Sequence, residues 1–137
     1  CLILVTPDSE RTMCTFLGTA GKINENDVDV NAVKNSKITF LEGYLWDEGD
    51  PKTAFDKAIQ NSNKVAMSLS DLFCVERHKP HFLDLVKNHL DVVFANEQEI
   101  SSLIDAKNFD EAISFSKELK KKYYYHKRFK GCSFNKG

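Results

Sequence analysis

Residues 91–99 read DVVFANEQE, an almost wholly apolar stretch that runs directly into a polar, helix-forming one. A strand over Asp91–Ala95, followed by a helix with Ile100, Leu103 and Ile104 on one face, is the local pattern of a parallel sheet with helical crossovers. Ligands bind such sheets at the carboxyl ends of the strands, beside helix N-termini that favour anions. This junction is therefore the best candidate site in the sequence.

The same alternation of strand and helix extends on both sides of the junction. The pattern predicts a helix over Asp27–Lys34, a strand over Lys37–Leu41, a helix from Pro51, a strand over Lys64–Leu69, a helix around Phe82–Val86 and a helix over Phe109–Lys122. Apolar strands alternating with helices indicate an α/β fold with a Rossmann-like parallel sheet covered on both faces. The tail Tyr123–His126 stands where another buried strand is expected, but three tyrosines followed by a histidine suit one poorly.

The opening of the chain predicts a β hairpin. Two apolar, β-branched runs, Leu2–Thr6 and Thr12–Leu17, flank a polar turn that contains Pro7 and Asp8. Arg11 lies on this hairpin, where its guanidinium could bind a phosphate through two hydrogen bonds. A single hairpin arginine is more often a surface charge, so the spacing leaves both interpretations open.

Composition narrows the class of protein. The 137 residues carry 19 basic and 20 acidic side chains, so no global field attracts nucleic acid or an anionic membrane. The apolar runs are far shorter than the roughly 20 residues that span a bilayer. Four widely spaced cysteines indicate reduced thiols in a cytoplasmic protein. A chain that opens on Cys1 within an apolar run is expected to be a fragment of a longer protein.

Two polar junctions carry the candidate site residues. Asn96 and Glu99 have the spacing of a capping box, which spacing alone favours, but an amide and a carboxylate could also hold Mg²⁺ through water. Ser70 and Asp71 follow the strand predicted over Lys64–Leu69, and an N-cap is again the favoured interpretation. The histidines of residues 76–81 lack the further ligands that zinc requires.

Four segments together resemble the pfkB family of sugar and nucleoside kinases, and within it the branch of adenosine kinases. They are residues 10–18 (ERTMCTFLG), 40–47 (FLEGYLWD), 68–71 (SLSD) and 94–99 (FANEQE), which occur in the family's order. The resemblance implies a ribokinase-like α/β fold in which residues 1–18 are part of a β lid and residues 19–137 are the central portion of the kinase domain, truncated at both ends. It implies ATP-dependent phosphorylation of a primary hydroxyl on a small-molecule nucleoside or sugar.

The resemblance also assigns roles to individual residues. Asn96 and Glu99 would place Mg²⁺ through water together with the phosphates of ATP, Ser70 would lie at the cofactor, and Arg11 would contact the transferred phosphate. The family's Gly-Ala-Gly-Asp-type stretch, which carries the catalytic base, is not among these residues, so the chain is expected to be inactive by itself. The parent protein would be a monomer or a homodimer. The alternative is a non-catalytic α/β binding or interaction module in which Asn96 and Glu99 are only caps.

Overall fold

The computed structural model describes residues 1–47, 50–119, 122–126 and 132–134, the last two ranges by their backbone. The strands are β1 (Leu2–Val5), β2 (Arg11–Cys14), β3 (Thr39–Glu42), β4 (Val65–Ser68), β5 (Val92–Asn96), β6 (Lys122–His126) and β7 (Cys132–Phe134). The helices are α1 (Val30–Asn35), α2 (Pro51–Asn61), α3 (Leu72–Asp84), α4 (Glu97–Ile104) and α5 (Phe109–Glu118). Short 3₁₀ segments cover Gly18–Lys22, Glu25–Asp27 and Gly43–Asp47, and Leu85–His89 is a π-helical turn.

The main sheet has the strand order β3-β4-β5-β6-β7. The four strands from β3 to β6 are parallel, and β7 pairs antiparallel with β6. Each parallel pair is joined by at least one helix, as parallel connections require. The α/β fold predicted from the sequence is therefore confirmed. The sequence suggested that residues 123–126 suit a strand poorly. This was wrong, because their backbone forms β6, which pairs with β5 along its whole length.

The core lies on one face of this sheet. Leu41, Met67 and Val93 stand side by side in register on neighbouring strands and are buried. The apolar residues of the helices pack with them in one cluster, which includes Phe55, Val75, Phe82, Val86, Ile100, Leu103 and Ala112. On the opposite face Phe40 is 51% exposed and Phe94 38% exposed, and their rings meet edge to face at 5.8 Å. The sequence predicted a sheet covered on both faces. Among the described residues this prediction was wrong, because the helices pack on the face that carries Leu41 and not on the face of Phe40 and Phe94.

Local chemistry explains where the helices begin. Pro51 opens α2, where its fixed φ fits the first turn and its missing N–H costs no hydrogen bond. Asp29 caps α1 by accepting from the backbone N–H groups of Asn31 and Ala32 at 2.9 and 3.1 Å. The helix predicted over Asp27–Lys34 is thus divided into a 3₁₀ turn and α1.

Helix α3 is longer than the sequence predicts and is kinked. Residues 76–81, which precede the helix predicted around Phe82–Val86, lie inside it. The kink falls at His78, whose φ of −112° and ψ of 19° are not helical. Pro80 accounts for the kink because its ring cannot donate to Glu76 and crowds the preceding turn.

The N-terminal hairpin predicted from the sequence is confirmed. Strands β1 and β2 pair antiparallel from Leu2 opposite Cys14 to Val5 opposite Arg11. The Ser9 N–H donates to the Thr6 carbonyl at 2.9 Å, and Ser9 has a φ of 65°. A turn closed by a residue with positive φ matches the right-handed twist of the paired strands. All eight strand residues are exposed, so the hairpin stands apart from the main core.

Within the described ranges, no helix is both long enough and apolar enough to cross a membrane.

Candidate active site at the carboxyl edge of the sheet

The carboxyl ends of three parallel strands bring the polar candidates together. Glu42 ends β3, Ser68 ends β4 and Asn96 ends β5. Glu42 lies opposite Ser68, and Ser68 lies opposite Phe94, so the strand ends form one edge. Helix α4 begins at this edge directly after Asn96. The sequence pattern therefore located the edge of the sheet correctly.

Asn96 and Glu99 form a complete capping box at the start of α4. The Asn96 side-chain oxygen accepts from the Glu99 N–H at 2.8 Å. The Glu99 carboxylate accepts from the Asn96 N–H at 2.9 Å and from its side-chain N–H at 2.6 Å. The capping interpretation favoured by the spacing is thus seen in the structure, and it orients both side chains at the strand end.

Glu99 is buried, with 6% of its surface exposed. Burial raises the pKa of its carboxyl, the hydrogen bond from the Asn96 backbone opposes this shift, and the negative charge of Asp71 adds to it. A positive charge beside Glu99 would relieve the cost of keeping this carboxylate ionised. The arrangement consequently favours a cation at this edge.

The raised pKa of Glu99 predicts how stability depends on pH. The folded carboxyl binds its proton more tightly than the unfolded one, so this group lowers the free energy of unfolding as the pH rises from its ordinary pKa of 4.5 through the raised folded value. We expect the stability of the chain relative to a Glu99→Gln variant, which cannot titrate there, to decrease as the pH rises above 4.5. Urea titrations of both proteins across this range measure it. A difference that stays constant or grows with pH would contradict the shift.

Ser70 and Asp71 lie just beyond β4 at the same edge. The Asp71 side chain accepts from the Cys74 N–H at 2.8 Å and caps α3, as the spacing favoured. Ser70 is not the cap. Its φ is 72°, and its hydroxyl oxygen accepts from the Tyr44 N–H at 3.2 Å. Tyr44 belongs to the segment that follows β3, so this contact joins two strand ends.

The sequence did not indicate that three further residues lie beside Ser70 at this edge. They are Glu42, Gly43 and Tyr44. The Ser70 hydroxyl lies 3.4 Å from a carboxylate oxygen of Glu42. Burial raises the pKa of the Tyr44 phenol, with the charges of Asp71, Glu42 and Glu99 adding to the shift. One signal could have identified them. Glu42 and Gly43 stand at the carboxyl end of β3, and β3 is the neighbour of β4, which ends just before Ser70.

Arg11 is placed elsewhere. It is the first residue of β2, lies opposite Val5 and is exposed. Among the described contacts, none joins Arg11 to Ser70, Asn96 or Glu99. The structure brings Ser70, Asn96 and Glu99 to one edge, whereas Arg11 lies on the exposed hairpin.

The donor set was compared with what a metal ion requires. Among the described side chains, no group of three or more histidine, cysteine, aspartate and glutamate residues could enclose an ion. Mg²⁺ keeps several waters and needs only one or two carboxylates from the protein. Glu99, with Asn96 beside it, fits that lesser requirement because each carboxylate oxygen retains a second lone pair.

Trp46 anchors the segment that carries Gly43 and Tyr44. Its ring lies 5.5 Å from Phe55 of α2 and packs against His81 and Phe82 of α3 at 5.4 and 6.0 Å. Leu45 and Trp46 pack against the core cluster, whereas Tyr44 is exposed.

Comparison with solved structures defines the class. The chain is 37% identical to the adenosine kinase from Sinorhizobium meliloti, with a TM-score of 0.89 over 95% of this chain and 41% of that one. It is 38% identical to a probable sugar kinase from Rhizobium etli CFN 42, with a TM-score of 0.89 over 98% of this chain and 42% of that one. A putative ribokinase II from E. coli in complex with ATP and Mg²⁺ shares the fold at 17% identity, with a TM-score of 0.80 over 98% of this chain and 46% of that one.

The fold is that of the ribokinase-like kinases. Residues 1–127 match the profile of the pfkB family of carbohydrate kinases, and the chain belongs to this family. No curated protein matches the sequence. The chain spans less than half the length of the kinases described above.

Proposed function

We propose that this chain is part of an ATP-dependent kinase that phosphorylates a primary hydroxyl of a nucleoside resembling adenosine, or of a sugar. Membership of the pfkB family carries the kinase activity, and 37% identity to an adenosine kinase supports a nucleoside acceptor. The placement of Asn96 and Glu99 at the strand edge supports a phosphate and metal site there. In this proposal residues 1–18 form part of a lid, residues 19–137 belong to the kinase domain, and the enzyme acts in the cytoplasm.

The residues at the edge would act mainly by charge and position. Glu99 would hold Mg²⁺ through water, with Asn96 fixing the carboxylate by its two hydrogen bonds. Bound Mg²⁺ would neutralise charge that develops on the phosphates. Ser70 would offer its hydroxyl to the cofactor from the neighbouring strand end. Arg11 would contact the transferred phosphate once the lid brings it to the edge.

The direct test is a phosphotransfer assay on the longer protein that contains this chain. We expect ATP-dependent formation of a nucleoside or sugar monophosphate that stops when EDTA removes the metal. Adenosine, other nucleosides and ribose should be compared as acceptors at equal concentration. The 137-residue chain by itself should give no product above background. Absence of transfer to every acceptor by the folded longer protein would overturn the proposal.

One observation favours the alternative of a non-catalytic binding or interaction module. Both oxygens of the Glu99 carboxylate already accept hydrogen bonds from Asn96, so capping by itself explains the pair. In such a module, loss of Glu99 would lower stability and leave any phosphotransfer unchanged. The two proposals therefore differ in the expected effect of replacing Glu99.

A further inference from the structure

The chain turns sharply immediately after β4. The Asp71 N–H donates to the Leu69 carbonyl at 2.9 Å, and the residue between them, Ser70, has a φ of 72°. A three-residue turn whose central residue has positive φ is rare and strained, more so when that residue is not glycine. Such a conformation persists only when its surroundings hold it in place.

Gly43 is one of the groups that hold this turn. A Cβ at Gly43 would lie 2.9 Å from the carbonyl oxygens of both Ser68 and Leu69, and 3.1 Å from the Ser70 hydroxyl oxygen. Contacts this short with backbone atoms cannot be relieved by rotating a side chain. The backbone after β3 therefore packs directly on the turn after β4, and only glycine fits there.

Tyr44 is the second group. Its backbone N–H donates to the Ser70 hydroxyl oxygen at 3.2 Å, and its phenol donates to the Ser70 carbonyl at 3.3 Å. These two bonds hold Ser70 from both its side chain and its backbone. On the other side, the Leu69 N–H donates to the Phe94 carbonyl at 2.9 Å and ties the start of the turn to β5.

The turn determines where the next charged group stands. Asp71 follows Ser70 directly and caps α3 through the Cys74 N–H at 2.8 Å, while Leu69 at the other end of the turn bonds to Phe94, two residues before Asn96. A change in the Ser70 conformation would therefore displace the Ser70 hydroxyl and the Asp71 carboxylate together, relative to the fixed Asn96–Glu99 pair.

We propose that Gly43 and Tyr44 are positioning residues that act through the strained Ser70 turn and hold Ser70 and Asp71 against the Asn96–Glu99 pair. This inference rests on the proposed phosphotransfer for its functional consequence. Neither residue needs to touch the substrate or ATP. Their role is to fix the spacing between two strand ends, and small displacements of groups around a reaction centre cost large factors in rate.

The first measurement uses the 137-residue chain. Gly43→Ala should change the amide chemical shifts of Ser70 and Asp71 and speed hydrogen exchange of the Asp71 amide by about tenfold, because the Leu69–Asp71 hydrogen bond loosens. Gly18→Ala is the control, since a Cβ at Gly18, whose φ is 62°, would meet nothing closer than 3.9 Å. The control should leave both amides unchanged. Unchanged Ser70 and Asp71 amides in Gly43→Ala would overturn the proposal.

The second measurement uses the longer protein and separates positioning from stability. Gly43→Ala should lower kcat by about tenfold to 100-fold and raise the Mg²⁺ concentration that gives half-maximal rate. Tyr44→Phe, which removes only the phenol, should have a smaller effect in the same direction. The double variant Gly43→Ala/Ser70→Ala should be no slower than the slower single variant, because both changes act on one turn.

The outcomes separate this inference from the proposed function. A lower Tm with kcat and Mg²⁺ dependence unchanged would make Gly43 merely structural and overturn the inference, as would effects of Gly43→Ala and Ser70→Ala that multiply. If the unaltered longer protein transfers no phosphate, the proposed function fails. The positioning inference is then decided by the Ser70 and Asp71 amides of the 137-residue chain, which Gly43→Ala should shift and Gly18→Ala should not.

Discussion

Replacing Glu99 with glutamine in the longer protein should lower kcat by about 100-fold or more, with a much smaller effect on folding. Glutamine keeps the shape of the side chain and can still accept from the Asn96 N–H, so most of the cap survives. It removes the negative charge that would hold Mg²⁺ through water. Steady-state rates over a range of Mg²⁺ concentrations, with a thermal melt of each variant, measure the two effects.

The chain contains its own control for this substitution. Helix α5 also begins after an Asn-x-x-Glu sequence, in which Asn108 accepts from the Glu111 N–H at 3.1 Å and Glu111 accepts from the Lys107 N–H at 2.9 Å. This second cap follows a loop rather than a strand end, and it is exposed. Glu111→Gln should therefore leave kcat unchanged. Equal effects of the two substitutions on rate, or a Glu99 effect confined to stability, would favour the binding module.

Replacing Phe82 with alanine should lower the free energy of unfolding of the chain by about 3–5 kcal/mol. Phe82 is fully buried, lies 6.0 Å from Trp46 and 5.9 Å from His78, and belongs to the core on the helix-covered face of the sheet. Its removal leaves a cavity between α3 and the segment that follows β3. Urea unfolding followed by far-UV circular dichroism measures the change.

Phe73→Ala is the comparison for this experiment. Phe73 lies on the same helix but is 72% exposed, so its loss should change the free energy of unfolding by no more than about 0.5 kcal/mol. A loss below about 1 kcal/mol for Phe82→Ala would show that the site collapses around the smaller side chain. Equal losses for the two substitutions would contradict the division of α3 into a buried and an exposed face.

The fold was predictable because its signals are local. The apolar strand that ends at Asn96, the helix that follows it and Pro51 at the start of α2 each specify their element from neighbouring residues. The capping box at Glu99 was predictable for the same reason, since its partners are three residues apart. Pro80 shows the limit of local reasoning, because it is usually a helix breaker, yet packing keeps α3 together across the kink.

The part of the site that depends on strand order could not be predicted. Ser70 and Tyr44 are 26 residues apart in sequence and meet only because β3 and β4 are neighbours in the sheet. Glycine is the usual sequence signal for a positive φ, and none lies next to Ser70. The glycine that packs on this turn is Gly43, which follows β3. The exposure of Phe40 was missed for a related reason, as an apolar strand does not show which of its faces the helices cover.

The position of Trp46 has a spectroscopic consequence. It is the single tryptophan of the chain, and its ring lies between Phe55 of α2 and two imidazoles of α3, with His81 stacked at 5.4 Å and His78 at 6.0 Å. Intrinsic fluorescence therefore reports on the contact between these two helices. Among the described ring contacts none joins Trp46 to the exposed N-terminal hairpin, so this emission reports on α2 and α3 and not on β1 and β2.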